Sequence, residues 1–79
     1  MRDLRRIRTG AGEMIEYRNS TVILLIDEWI HDERYRAILK DRLVRGLTYE
    51  QIVELHDMSV THIKRIIYRE QEKIFRHME

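Results

Sequence analysis

Apolar residues recur along most of this chain at intervals of three and four, the spacing that lines one face of a helix. The pattern predicts four helices. Ser20 or Thr21 caps the first, which runs to about His31 and carries Val22, Ile23, Leu25, Ile26, Trp29 and Ile30. That face is broader than one packing stripe needs, so this helix is either central or buries one side against a partner. Trp29 is expected to be a core anchor, because its ring contributes a large buried area. Asp32 caps the second helix, Glu33 to about Arg45, with Tyr35, Ile38, Leu39 and Leu43 on one side and Val44 flanking. Gly46 stands where a left-handed C-cap belongs.

The third and fourth helices lie close together. Thr48 with Gln51 three residues on forms a capping box for a helix from Thr48 to His56, with Ile52 and Leu55 on its apolar face. Asp57-Met58-Ser59 interrupts the pattern, and Ser59 caps a helix reaching about His77 in which Ile63, Ile66 and Ile67 face inward. Thr61, His62, Lys64 and Arg65 then face away from the core. A short helix, a tight turn and a helix with a polar outer face make a helix-turn-helix, whose second helix can lie in the major groove of DNA. The fourth helix is longer than one small core covers, so its end either projects or mediates dimerisation. The fold class expected is all-α: a small helical bundle of about four helices, with the helix-turn-helix at 48–69 of a helical domain spanning 20–79.

Residues 1–19 read differently. Apolar positions are sparse, Gly10 and Gly12 break a helix, and Arg2, Arg5, Arg6 and Arg8 crowd the start. This segment is expected to be a flexible basic arm, with a short helix at Asp3 to Arg8 at most. It is either a solvated tail or an arm reaching DNA phosphates or a minor groove.

Composition narrows the classes. With 79 residues the chain makes one small domain, and a core of that size gains from a partner or second subunit. No cysteine is present, so a disulfide framework and a thiolate metal site are excluded, which fits a reducing interior. No proline interrupts the helices. Net charge is only +1, so distribution matters more than the sum: Lys64, Arg65, Arg69, Lys73 and Arg76 line the last helix, with Glu70 and Glu72 interleaved. The apolar run Val22 to Ile26 is too short to span a bilayer, and no apolar signal segment follows the basic start. The expectation is a soluble, cytoplasmic protein without a membrane partner.

Catalytic and cofactor chemistry finds no motif. His31, His56, His62 and His77 have no shared i, i+4 pattern with acidic residues that would point to a zinc site. Asp57, Ser59 and His62 are explained as turn, cap and first helical turn rather than as a hydrolase triad. No glycine-rich loop precedes a helix with a lysine. The reading is therefore not an enzyme, with no cofactor and no metal.

The segment Asp32 to Phe75, "DERYRAILKDRLVRGLTYEQIVELHDMSVTHIKRIIYREQEKIF", resembles the promoter-binding region 4 of bacterial sigma factors and small phage or mobile-element regulators built on that module. Gly46-Leu47-Thr48-Tyr49-Glu50-Gln51-Ile52 matches the start of the motif's first helix, Ser59 its turn-ending serine, Ile63-Lys64-Arg65 its recognition-helix centre and Glu72-Lys73-Ile74-Phe75 its amphipathic end. The resemblance covers a little over half the chain. Three positions depart from it: Val53 replaces a small residue, His56 an apolar one and Asp57 a glycine. Asp tolerates a left-handed turn better than most residues. The chain has no counterpart of the upstream sigma regions, so a regulator carrying the module is expected rather than a sigma factor.

The resemblance implies double-stranded DNA as partner. The implied base-reading residues are Val60, Thr61, His62, Lys64 and Arg65, with Lys64 or Arg65 donating to guanine, Thr61 to a base edge and Val60 touching a thymine methyl. The implied phosphate contacts are Arg45, Thr48, Tyr49, Ser59 and Arg69, and Thr48 gains from a helix N-terminus. Tyr68 packs on the core or sits at the DNA edge. Further partners are a second copy, through residues 22–30 or the C-terminal helix, and RNA polymerase or another host protein in a bacterial or phage-infected cell. The competing functions are a protein-interaction module of phage-inhibitor type, without specific DNA readout, and a purely oligomer-forming helical protein.

Overall fold

The structure, a computed structural model, describes residues 3–9 and 11–78. Arg2 and Gly10, both placed in the arm above, lie outside the described residues. Six elements follow one another: β1 (Leu4–Arg8), β2 (Met14–Arg18), α1 (Asn19–Trp29), α2 (Glu33–Leu43), α3 (Tyr49–His56) and α4 (Val60–Arg76). The architecture is mostly helical but not all-α, because β1 and β2 pair as a two-stranded antiparallel sheet.

The expected flexible arm is thus corrected to a docked hairpin. Its register sets Leu4 opposite Arg18, Arg5 opposite Tyr17 and Ile7 opposite Ile15. Side chains alternate across a strand, so Ile7 and Tyr17 turn inward and are buried, while Leu4, Arg6, Arg8, Met14, Glu16 and Arg18 face out. The turn closes through the Thr9 N–H to the Glu13 carbonyl (2.8 Å) and the Gly12 N–H to the Thr9 carbonyl (3.0 Å), with Gly12 at φ +86°. A lone two-stranded hairpin is marginal in water. Here it is held by burial of Ile7 and Tyr17 against Val22, Ile26, Ile30, Leu39, Leu43 and Ile74.

Strand β2 runs straight into α1, and the expected Ser20 or Thr21 cap is replaced. Arg18 is the N-cap and makes no side-chain cap. Asp3, from the start of the hairpin, does that work: its Oδ1 accepts the Ser20 N–H (3.3 Å), its Oδ2 the Ser20 hydroxyl (2.9 Å) and its carbonyl the Asn19 N–H (2.7 Å). At the far side of the core the Tyr17 hydroxyl donates to the Leu43 carbonyl at 2.6 Å. That carbonyl is one of the acceptors that the end of α2 leaves without a helical partner. Burial pushes the Tyr17 phenol up to about 12, against an opposing pull from Arg5 and Arg42.

A second cluster joins Ile38, Ile52, Ile63, Ile66 and Ile67, with Tyr35, Leu47, Tyr49, Val53 and Met58 packed around it. Helix α2 divides the two clusters, giving Ile38 to one and Leu39 and Leu43 to the other. Helix α4 spans both, which is why its whole length is covered: its end does not project, since Ile74 is fully buried and Phe75 packs near Tyr17. Two apolar expectations fail. Trp29 is 42% exposed and lies flat on His77, ring centroids 3.8 Å apart, instead of anchoring the core. Leu55 is 59% exposed, because α3 rests on α2 and α4 mainly through Ile52.

Candidate nucleic-acid interface

Helix α3 begins with the expected capping box. The Gln51 N–H donates to Thr48 Oγ1 (3.2 Å), and the Thr48 N–H donates to Gln51 Oε1 (2.9 Å). It ends at Asp57 in the left-handed region, φ 52° and ψ 48°. Ser59 Oγ accepts the His62 N–H at 3.2 Å and starts α4. The hydroxyls of Thr48 and Ser59 are therefore both engaged in capping, although both residues are exposed.

Helix α4 buries Ile63, Ile66, Ile67, Glu70, Gln71 and Ile74. Val60, Thr61, His62, Lys64 and Arg65 are all exposed. With about 100° between successive residues, Thr61, Arg65, Glu72 and Arg76 form the stripe most directly opposed to the core, with Tyr68 turned towards the side of Lys64. His62 lies on one flank of it, and Val60 and Lys64 lie on the other. Neither Lys64 nor Arg65 meets a carboxylate at ion-pair distance among the described residues.

The residues implied as phosphate contacts are distributed unevenly. Arg45 Nη1 donates to Asp41 Oδ1 (3.0 Å). Arg69 Nε donates to Glu70 Oε2 (3.2 Å), and its guanidinium carbon lies 5.7 Å from the Tyr35 ring centre. Both arginines thus have a carboxylate partner. Tyr49 is half-buried, with the Arg42 guanidinium carbon 4.3 Å and Lys64 Nζ 5.2 Å from its ring centre. Its hydroxyl lies 3.4 Å from that of Tyr68. Burial, then the Tyr68 hydrogen bond, raise the Tyr49 phenol above its ordinary value, and Arg42 works against them. Tyr68 itself is 38% exposed and sits at the edge of this group rather than in the core.

Arg42 is the residue that the linear pattern missed. It reads as one of several charges on the outer face of the second helix. The turn after α2 brings it onto Tyr49, where its Nη1 donates to the Leu47 carbonyl (2.9 Å). Gly46, at φ +71°, makes that turn possible.

The departure at His56 has a physical account. Asp41 on α2 is buried, and its Oδ2 lies 2.7 Å from His56 Nε2 while Oδ1 takes Arg45. A buried carboxylate needs such partners, so the polar residue at 56 answers the polar residue at 41 and ties the end of α3 to α2. Val53 packs half-buried in the second cluster. Among the described residues no helix is long and apolar enough to cross a membrane, and no acidic, histidine or cysteine group is arranged to hold a metal ion. The chain matches no protein-family model, no curated protein and no solved structure.

Proposed function

We propose that this chain is a sequence-specific DNA-binding transcriptional regulator, using α3 and α4 as a sigma region 4-like helix-turn-helix. The observation that carries the reading is the outer face of α4: Thr61, His62, Lys64 and Arg65 are exposed on a helix held from behind by Ile63, Ile66 and Ile67. Lys64 and Arg65 have no carboxylate partner among the described residues, so their charge is available to an anion. A helix of about 10–12 Å diameter fits a major groove about 12 Å wide. The reading places Val60, Thr61, His62, Lys64 and Arg65 at base edges, with phosphates approached from Thr48, Tyr49, Ser59, Arg45 and Arg69. It implies work in the cytoplasm of a bacterial or phage-infected cell, with two copies on a two-fold site.

The test is selection of the purified protein on random duplex DNA, repeated across salt concentrations. The expected result is an enriched motif whose binding is lost in Lys64→Ala/Arg65→Ala while the fold, followed by circular dichroism, is kept. Weak, unselective binding that vanishes at physiological salt would refute it. A second reading, docking to RNA polymerase or another host protein, is favoured by the 70% exposure of Leu24 on α1. It predicts that Leu24→Asp, and not the α4 double variant, abolishes function.

A further inference from the structure

Where α2, α3 and α4 meet, two cations converge on one aromatic ring. Arg42 stands 4.3 Å and Lys64 5.2 Å from the centre of Tyr49. Several lysines and arginines on or beside α2 and α4 are neutralised: Arg45 by Asp41, Arg69 and Lys73 by Glu70, Lys40 by Asp27. Arg42 and Lys64 are not, among the described residues. The ring face offsets part of their mutual repulsion. An anion beside them offsets more.

The hydroxyls add a second, independent feature. Those of Tyr49 and Tyr68 lie 3.4 Å apart. Each phenol carries one proton, and a pair of them uses only one in the bond they share. The other O–H is left to donate elsewhere, at the exposed edge where Tyr68 sits. Two uncompensated cations and a spare hydroxyl donor suit an anion whose charge is shared over two acceptor oxygens on one centre, as in a phosphodiester.

We propose that Arg42, Tyr49, Lys64 and Tyr68 form a phosphate-binding cluster that grips the nucleic-acid backbone beside the groove occupied by α4. This rests on the DNA-binding reading above and changes it in two respects. Lys64 becomes a backbone contact rather than a base reader, and Tyr68 gains a role. Helical geometry agrees: Thr61 and Arg65 face straight out, whereas Lys64 is on the flank that meets Tyr49. A helix nearly as wide as the groove presents its ridge to the bases and its flanks to the phosphate walls.

The experiment measures binding of the full chain to its selected duplex and to a random duplex, each across a salt series, with Lys64→Ala, Tyr68→Phe and Arg65→Ala. Lys64→Ala is expected to weaken both duplexes by the same factor and to lower the salt slope by about 1, leaving the preferred sequence unchanged. Tyr68→Phe keeps the ring and is expected to weaken both duplexes by at least about 10-fold, the lower end of the scale of one hydrogen bond to a charged group. Arg65→Ala is expected to relax the preference at one or two base pairs. If Lys64→Ala alters the preferred sequence, or weakens only the selected duplex, the cluster is overturned while the regulator reading stands. Unchanged binding by Tyr68→Phe overturns it too. If the wild-type chain binds neither duplex, both proposals fall together.

Discussion

Replacing Tyr17 by phenylalanine tests whether the hairpin belongs to the core. The ring is 4% exposed, and its hydroxyl donates to the Leu43 carbonyl at 2.6 Å. Tyr17→Phe keeps the ring's packing and removes one donor. A hydrogen bond of this kind contributes about 1 kcal/mol net, and a buried acceptor left without a partner costs about 1–3 kcal/mol. A loss of about 2 kcal/mol is therefore expected, which in a domain of this size lowers the melting temperature by about 10 °C. The alkaline limb supplies a second signature. The folded-state phenol stands at about 12, above its ordinary 10.0, because burial disfavours the phenolate. Its contribution is therefore complete below pH 10.0 and is lost as pH rises from there towards about 12. The loss approaches about 1.4 kcal/mol per pH unit in that window. The assay is urea unfolding followed by circular dichroism at neutral pH and at steps through the window, for both proteins. Wild type should lose stability more steeply than Tyr17→Phe, since only wild type has this phenol to ionise. Equal stability at neutral pH together with identical alkaline slopes would refute the docking of the hairpin on α2.

Further predictions concern the interior and the turns. Asp41→Ala is expected to cost about 2 kcal/mol in urea unfolding, because His56 and Arg45 both lose a charged acceptor, whereas Asp41→Leu with His56→Leu should recover most of it. Gln71 is 1% exposed with neither amide atom hydrogen-bonded among the described residues, so Gln71→Met should raise stability by about 1 kcal/mol. Asp57→Gly should stabilise by about 0.5 kcal/mol by relieving the left-handed backbone, read as a higher melting temperature. Gly46→Ala should do the opposite, losing about 1 kcal/mol; a Cβ there stands 2.6 Å from Arg5 Nη1, but the flexible arginine can swing aside and the backbone at φ +71° cannot.

The parts of this protein that depend on neighbours in the chain were legible in the sequence. Capping by Thr48 and Gln51, the stop at Asp57, the restart at Ser59 and the left-handed Gly46 all follow from interactions spanning a few residues. The inward set Ile63, Ile66 and Ile67 follows from helical period, and with it the exposure of Thr61, His62, Lys64 and Arg65. The hairpin was not legible. Each strand has only five residues, arginines occupy most of β1, and the inward pair Ile7 and Tyr17 acquires meaning only once Arg5 stands opposite Tyr17 and both strands find α2. Periodicity likewise assigned Trp29 and Leu55 to apolar faces, because it says which side of a helix is greasy and not how far a neighbour reaches along it. The meeting of Arg42, Tyr49, Lys64 and Tyr68 draws on three helices, and the Asp41–His56 contact on two. Sequence alone determined where helices begin, end and turn their faces, because those energies are local. Tertiary structure alone decided which of the described charges are neutralised and which stay unpaired, because that depends on groups brought together from distant parts of the chain.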